Sequence, residues 1–165
     1  NISTSPSRID HDQLKFWQKN VIESKSIDEL ISWLESRLEN LPKDIDKDSF
    51  VELIKDNIVF PDEAIEYVDN LFINSLSTIK EVEDRIKKSG PDFFRLAEKI
   101  VKDNWGDWDK TMKLIGEETG AKGKDLFMPL RASITGQLSG PELDQVTQVM
   151  GIERVLKRLQ EAAAL

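Results

Sequence analysis

Residues 122–143 read KGKDLFMPLRASITGQLSGPEL, and the predicted helices of the chain are arranged around this stretch. The Thr-Gly pair that ends at Gly136 predicts the end of one helix. Ser139 and Glu142 have the spacing of a capping box, and Pro141 suits the first position of a second helix. A short loop would then face the free N–H groups and the positive dipole end of that second helix. Such a loop can bind phosphates or the acceptor edges of bases.

Apolar residues at intervals of three and four predict helices along most of the chain. The residues expected to cap helix N-termini are Asp10, Ser26 with Glu29, Asp48 and Asp107. No alternation of period two lasts for the length of a strand, and the hairpin pairs Asn-Gly and Asp-Gly are absent. The sequence therefore predicts an all-α fold.

The pair Gly90-Pro91 predicts a boundary between two consecutive helical subdomains. Residues 1–25 are expected to be a connector and first helix that follow a preceding domain. Residues 26–90 would form the first helical subdomain and residues 91–165 the second.

Four tryptophans need separate interpretation. Trp17 and Trp33 fall on or near apolar helical faces, so we expect both in the core. Trp105 and Trp108 span a predicted turn, where their large area favours sealing the junction between two helices. The alternative is that one of these two rings is exposed and stacks on an unpaired base.

The charge balance argues against general binding to nucleic acids. The chain has a net charge of −8, whereas non-specific affinity requires lysines and arginines that neutralise phosphates. Residues 120–165 differ from the rest, because they hold 6 basic and 5 acidic side chains. An acidic protein of this kind would have to recognise RNA through few, well-placed contacts.

The residue types present in the chain exclude several kinds of site. The absence of cysteine rules out disulfides and thiolate metal ligands, and His11 is the only histidine. The acidic run 44–48 lacks the glycine and distal glutamate of a calcium loop. No P-loop or Rossmann fingerprint is present. We therefore predict no catalytic residue and no metal site in this chain.

Three blocks in the 122–143 stretch carry a family resemblance. Lys122 to Arg131, then Ile134-Thr135-Gly136, then Gly140-Pro141-Glu142-Leu143 resemble the C-terminal anticodon-binding region of bacterial glutamyl-tRNA synthetases, which are class I enzymes. Residues 151–156 continue the match, and residues 2–8 resemble the segment that follows the catalytic half. The resemblance implies a helical-cage anticodon-binding region.

The resemblance also assigns roles to residues. Spacing alone would make Arg131 a surface or capping arginine near a helix C-terminus. The family instead places an anticodon-contacting arginine at this position, and a guanidinium fork suits base edges. The residues that match the family's other anticodon contacts are Gly140, Pro141 and Leu143. Lys122 and Lys124 would contact phosphates, although a solvated lysine pair is nearly as good an interpretation.

The implied partner is the anticodon loop of tRNA-Glu, with no DNA or membrane partner, in the cytoplasm. ATP and magnesium are implied only for a catalytic domain that this chain lacks, so the chain alone should be inactive. The alternative function is an all-α protein–protein interaction module that does not bind RNA.

Overall fold

The computed structural model describes residues 10–165, and every regular element in that range is helical. The ten α-helices are α1 (His11–Ser24), α2 (Ile27–Leu34), α3 (Lys47–Ile54), α4 (Glu63–Val68), α5 (Lys80–Ser89), α6 (Pro91–Asp103), α7 (Trp108–Thr119), α8 (Lys124–Thr135), α9 (Leu143–Met150) and α10 (Ile152–Ala163). A π-helical segment, Asp69–Ile73, continues α4. The predicted all-α fold is confirmed. No helix in the described range is long and apolar enough to cross a membrane.

Most helix ends form where short-range spacing predicts them. Asp10 caps α1, and Ser26 forms a reciprocal capping box with Glu29 at the start of α2. The predicted cap at Asp48 is wrong, because Asp46 accepts from the backbone N–H of Ser49 at 2.9 Å. Asp46 has the extended backbone conformation that an N-cap needs, whereas Asp48 already lies in the first turn.

A single hydrophobic core runs through the described residues. Helix α6 packs along α10, α5 packs against α8, and α3 packs against α9. Phe50 on α3, Phe94 on α6 and Leu130 on α8 are fully buried in this core. Because the α5–α8 and α3–α9 contacts join residues on opposite sides of Gly90, the two halves share apolar surface. The division into two subdomains stays a prediction.

The π-helical segment is tied to α10 by a buried arginine. Arg158 is 7% exposed, and its two terminal nitrogens donate to the backbone carbonyls of Asn70 and Asn74. Asn70 lies in the π-helical segment and Asn74 is its C-cap, and the last carbonyls of a helix have no partner within it, so they are available to other donors. Arg158 therefore fixes the end of α4 relative to the C-terminal helix.

Helix α1 is the least buried of the ten. Only Ile22 on this helix is buried, whereas Phe16 and Trp17 are 63% and 60% exposed. The prediction that Trp17 lies in the core is therefore wrong, because no other described element covers that face of α1. Trp33 is half-buried and packs against the core, as expected. The predicted connector and the resemblance at residues 2–8 lie outside the described residues.

Candidate functional site

The loop between α8 and α9, residues 136–142, is called the α8–α9 loop below. Helix α8 tolerates Pro129 in its interior and ends where Gly136 adopts the left-handed conformation, with φ of 65°. The hydroxyl of Thr135 donates to the Arg131 carbonyl at 2.7 Å and accepts from the N–H of Gln137 at 3.0 Å. These bonds fix the direction in which the chain leaves α8.

The far end of the loop differs from the sequence prediction. Helix α9 begins at Leu143, two residues after Pro141, and its N-cap residue Glu142 makes no side-chain cap bond. The predicted capping box between Ser139 and Glu142 is therefore absent. The physical reason is that Gly140 has a φ of 135° and the Pro141 carbonyl is engaged elsewhere, so neither residue continues a helix. The first N–H groups of α9 consequently remain without a side-chain acceptor.

The side chain of Arg131 is hydrogen-bonded to the α8–α9 loop. It is 5% exposed, and its Nη2 donates to the Pro141 carbonyl at 2.8 Å. Its guanidinium carbon lies 5.0 Å from the centre of the Phe127 ring, a cation–π distance. Its other terminal nitrogen, Nη1, is buried and has no hydrogen-bond partner among residues 10–165. The interpretation of Arg131 as a surface arginine is therefore wrong.

The electrostatic state of Arg131 reflects this burial. Burial lowers the pKa of Arg131, while the nearby Glu142 carboxylate and Tyr67 raise it. An arginine remains protonated in proteins because its pKa lies so far above neutral pH. The site therefore contains a buried positive charge with one donor nitrogen that no protein group satisfies.

Helix α4 and its π-helical continuation form the opposite wall of the loop. A β-carbon added to Gly140 would lie 3.4 Å from the Tyr67 hydroxyl oxygen and 3.6 Å from Oε1 of Gln137. A β-carbon on Gly136 would lie only 3.1 Å from the Asn70 carbonyl oxygen. The loop can approach this wall so closely because both positions are glycine.

The other predicted residues divide into two groups. Pro141 and Leu143 are buried, and the Leu143 side chain is 1% exposed within the core. Lys122 and Lys124 are exposed near the N-terminus of α8, whereas the loop follows its C-terminus. A helix of this length spans about 18 Å. The structure thus brings Arg131, Gly140 and Pro141 together and leaves the lysines at a distance.

Sequence reasoning missed three residues at this site. Phe127 lies four residues before Arg131 on the same helix, and that spacing would have indicated the contact. Gln137 follows the helix end directly and offers an amide side chain to the loop. Tyr67 belongs to α4, and no local pattern in the sequence connects it with Gly140.

The two remaining tryptophans line a separate cavity of about 240 Å³ between the α6–α7 turn and α9. Trp108 is half-buried and packs against the core, as expected. Trp105 is 39% exposed, so the prediction that both rings seal the junction holds for Trp108 alone. In residues 10–165, no three acidic or histidine side chains are grouped to hold a metal ion.

Comparison with known proteins gives one family and a consistent set of relatives. The anticodon binding domain family matches residues 52–163, a range that includes α4, Arg131 and the α8–α9 loop. Glutamate–tRNA ligase 1 of Halorhodospira halophila is 36% identical over 164 residues, which is 99% of this chain and 34% of that protein. Glutamate–tRNA ligase 2 of Nitrosococcus oceani is 34% identical over 160 residues, or 96% of this chain and 34% of that protein.

Solved structures share the fold. The crystal structure of glutamate-tRNA synthetase from Elizabethkingia anophelis aligns with a TM-score of 0.74 at 19% identity, covering 96% of this chain and 32% of that one. The chain spans about a third of the length of the curated relatives and structures that it matches. The match over residues 52–163 is long enough to assign the family. This chain belongs to the anticodon-binding domain family.

Proposed function

We propose that this chain is the C-terminal, tRNA-reading part of a glutamyl-tRNA synthetase and binds the anticodon loop of tRNA-Glu. The observation that carries the proposal is the anticodon-binding family match over residues 52–163, which contains Arg131 and the α8–α9 loop. The relatives that align over nearly all of this chain are glutamate–tRNA ligases. The names of these relatives indicate glutamate as the amino acid and tRNA as the nucleic acid.

The geometry of the α8–α9 loop supports recognition of bases rather than of the phosphate backbone. The buried Nη1 of Arg131 and the uncapped N–H groups of α9 are donors without acceptors. Unpaired bases present acceptor atoms on their edges, and anticodon bases are unpaired in the free loop. Leu138 and Ser139 are exposed at the tip of the loop and offer a surface for the RNA.

The remainder of the proposed enzyme would perform the chemistry. A catalytic domain outside this chain would use ATP and magnesium to activate glutamate and transfer it to the acceptor end of tRNA-Glu, in the cytoplasm. This chain would supply selectivity for the anticodon and no catalytic residue. In this proposal Lys122 and Lys124 contact phosphates of the anticodon stem, beyond the bases held at the loop.

A fluorescence anisotropy titration tests the proposal. A labelled tRNA-Glu anticodon stem-loop is titrated with this chain, beside a stem-loop in which the middle anticodon base is changed. We expect binding of the first and clear loss of affinity for the second. Equal affinity for both stem-loops, repeated with the full-length synthetase, would contradict anticodon reading.

A second function, protein–protein interaction without RNA binding, is favoured by one observation. Helix α1 exposes four apolar side chains that no other element within residues 10–165 covers, those of Leu14, Phe16, Trp17 and Val21. The same titration separates the two functions, since an interaction module would not distinguish the stem-loops. Absence of RNA binding by both this chain and the full-length protein would favour the interaction module.

A further inference from the structure

Three side chains at the α8–α9 loop carry polar atoms that have no hydrogen-bond partner among residues 10–165. Nη1 of Arg131 is buried and unpaired. The hydrogen bonds of Gln137 within the described residues involve its backbone, so its side-chain amide is available. The Tyr67 hydroxyl is influenced by burial and by nearby charges, but by no hydrogen bond. Of these groups only Nη1 is fully buried, whereas the Tyr67 and Gln137 side chains are half-buried, so their polar ends are accessible to a ligand.

The missing side chain of Gly140 keeps the space between these groups open. An added β-carbon would lie 3.4 Å from the Tyr67 hydroxyl oxygen, 3.5 Å from its Cε1 and 3.6 Å from Gln137 Oε1. The φ of 135° also disfavours any residue except glycine. The Tyr67 hydroxyl and the Gln137 amide oxygen therefore face the same space beside the backbone of Gly140.

We propose that Tyr67 and Gln137 are base-contacting residues that form, over Gly140, a slot for one unpaired nucleobase of the anticodon loop. This inference rests on the proposed function and extends it, because Tyr67 comes from α4, far from the α8–α9 loop in sequence. The hydroxyl of Tyr67 and the amide of Gln137 read the edge of the base, beside Nη1 of Arg131.

The chemistry of the slot fits a base better than a phosphate. Hydroxyl and carboxamide groups both donate and accept, as base edges do. Glu63 and Glu66 lie near Tyr67 and Glu142 lies near Arg131, so three carboxylates accompany the positive charge of Arg131, an arrangement that favours a phosphate less than a cluster of cations would. Burial raises the pKa of Tyr67 first, with Glu63 adding to the effect, so the hydroxyl stays a donor at neutral pH. The ring itself can support stacking.

The variant Tyr67→Phe tests the inference because it removes one oxygen and keeps the ring. Stem-loops of tRNA-Glu are prepared with an abasic site at each anticodon position in turn and titrated by fluorescence anisotropy. We expect Tyr67→Phe to bind the intact loop about 3- to 10-fold more weakly, the range for one hydrogen bond. The difference from wild type should vanish for the one loop that lacks the contacted base. Gln137→Ala should show the same dependence on that position.

Ile65→Ala is the matched control, because Ile65 is exposed on α4 and lies two residues before Tyr67, on another face. It should bind every stem-loop as the wild type does. Thermal unfolding followed by circular dichroism establishes that each variant folds.

A second readout uses the fact that Tyr67 is the only tyrosine in the chain. Protein labelled with 3-fluorotyrosine gives one ¹⁹F signal, which we expect to shift with the tRNA-Glu stem-loop and not with the loop abasic at the contacted position. Selective binding by the wild type, with Tyr67→Phe equal to it on every loop and an unmoved ¹⁹F signal, would overturn the slot and leave the proposed function standing. Failure of the wild type and of the full-length synthetase to select any loop would overturn both.

Discussion

Replacement of Arg131 by methionine separates a reading role from a structural one. Arg131 is buried, yet only one of its terminal nitrogens has a partner, the Pro141 carbonyl at 2.8 Å from Nη2. Methionine keeps an unbranched side chain of similar length and packs well against an aromatic ring such as Phe127. Arg131→Met therefore removes the charge and the donors while leaving the space filled.

Two opposing effects determine the stability of this variant. Loss of a hydrogen bond from a charged donor costs about 1.5–3 kcal/mol, and removal of a buried unpaired donor recovers about 1–3 kcal/mol. The two ranges largely cancel, so the free energy of unfolding should change by about 2 kcal/mol or less. Loss of a good base contact weakens binding by about 1–3 kcal/mol, or about 5- to 150-fold in affinity.

Arg158→Met is the matched control. Arg158 is buried to a similar degree, but both of its terminal nitrogens donate to backbone carbonyls, those of Asn70 and Asn74. Its replacement leaves two carbonyl acceptors unpaired and removes no unpaired donor. We therefore expect the free energy of unfolding to fall by about 3 kcal/mol or more.

The assays are urea denaturation followed by circular dichroism and anisotropy titration with the tRNA-Glu stem-loop. We expect Arg131→Met to be near wild type in the first and strongly impaired in the second. The reasoning would be refuted if Arg131→Met lost as much stability as Arg158→Met while its folded fraction bound RNA with unchanged affinity. Arg131 would then serve only to hold the loop.

Four further outcomes follow from the same structure. Gly120→Ala should cost about 1–2 kcal/mol in unfolding free energy for its left-handed backbone, and Gly136→Ala at least about 1 kcal/mol more, because only Gly136 would meet a neighbouring carbonyl. Leu143→Ala should cost about 2–5 kcal/mol in urea denaturation, since the side chain is fully buried. Hydrogen bonds from the backbone and the side chain of Ser26 lower the pKa of Glu29. The contribution of Glu29 to the free energy of unfolding is therefore present above pH 4.5 and lost as the pH falls through the folded-state pKa. Glu29→Gln should flatten the curve of stability against pH in that range. The slope of log affinity against log salt should be shallow, about 2 or less in magnitude, because few phosphates are neutralised.

Helix boundaries were predictable where all the interacting groups lie within a few residues. The capping box of Ser26 and the glycine stop at Gly136 depend on local backbone geometry, and the structure confirms them. The start of α9 was not predictable in this way. Its position depends on the Pro141 carbonyl, which is held by a side chain ten residues earlier on α8.

The candidate site was predictable only in part, for a related reason. The resemblance identified Arg131 and Pro141, which the structure joins by a hydrogen bond. Burial of Arg131 could not be inferred, because spacing alone cannot show that Pro141 and Tyr67 lie near it. Tyr67 was inaccessible to sequence reasoning, since its proximity to Gly140 arises from packing between elements far apart in the chain. The exposure of Trp17 shows that an apolar face on a helix does not by itself predict burial, because no described element covers it.

Under the proposed function, the net charge of −8 and the fixed α8–α9 loop both favour selective binding of RNA over general binding. An acidic surface gives little attraction to RNA in general, so affinity must come from contacts that only the correct loop can make. Such contacts are strong only if their donors need no ordering when the RNA arrives. Arg131 is already fixed by Pro141 and Phe127, and Gly136 is already packed against Asn70. The binding energy of a correct base is then not consumed in ordering the loop, and it appears in full as affinity for the correct loop.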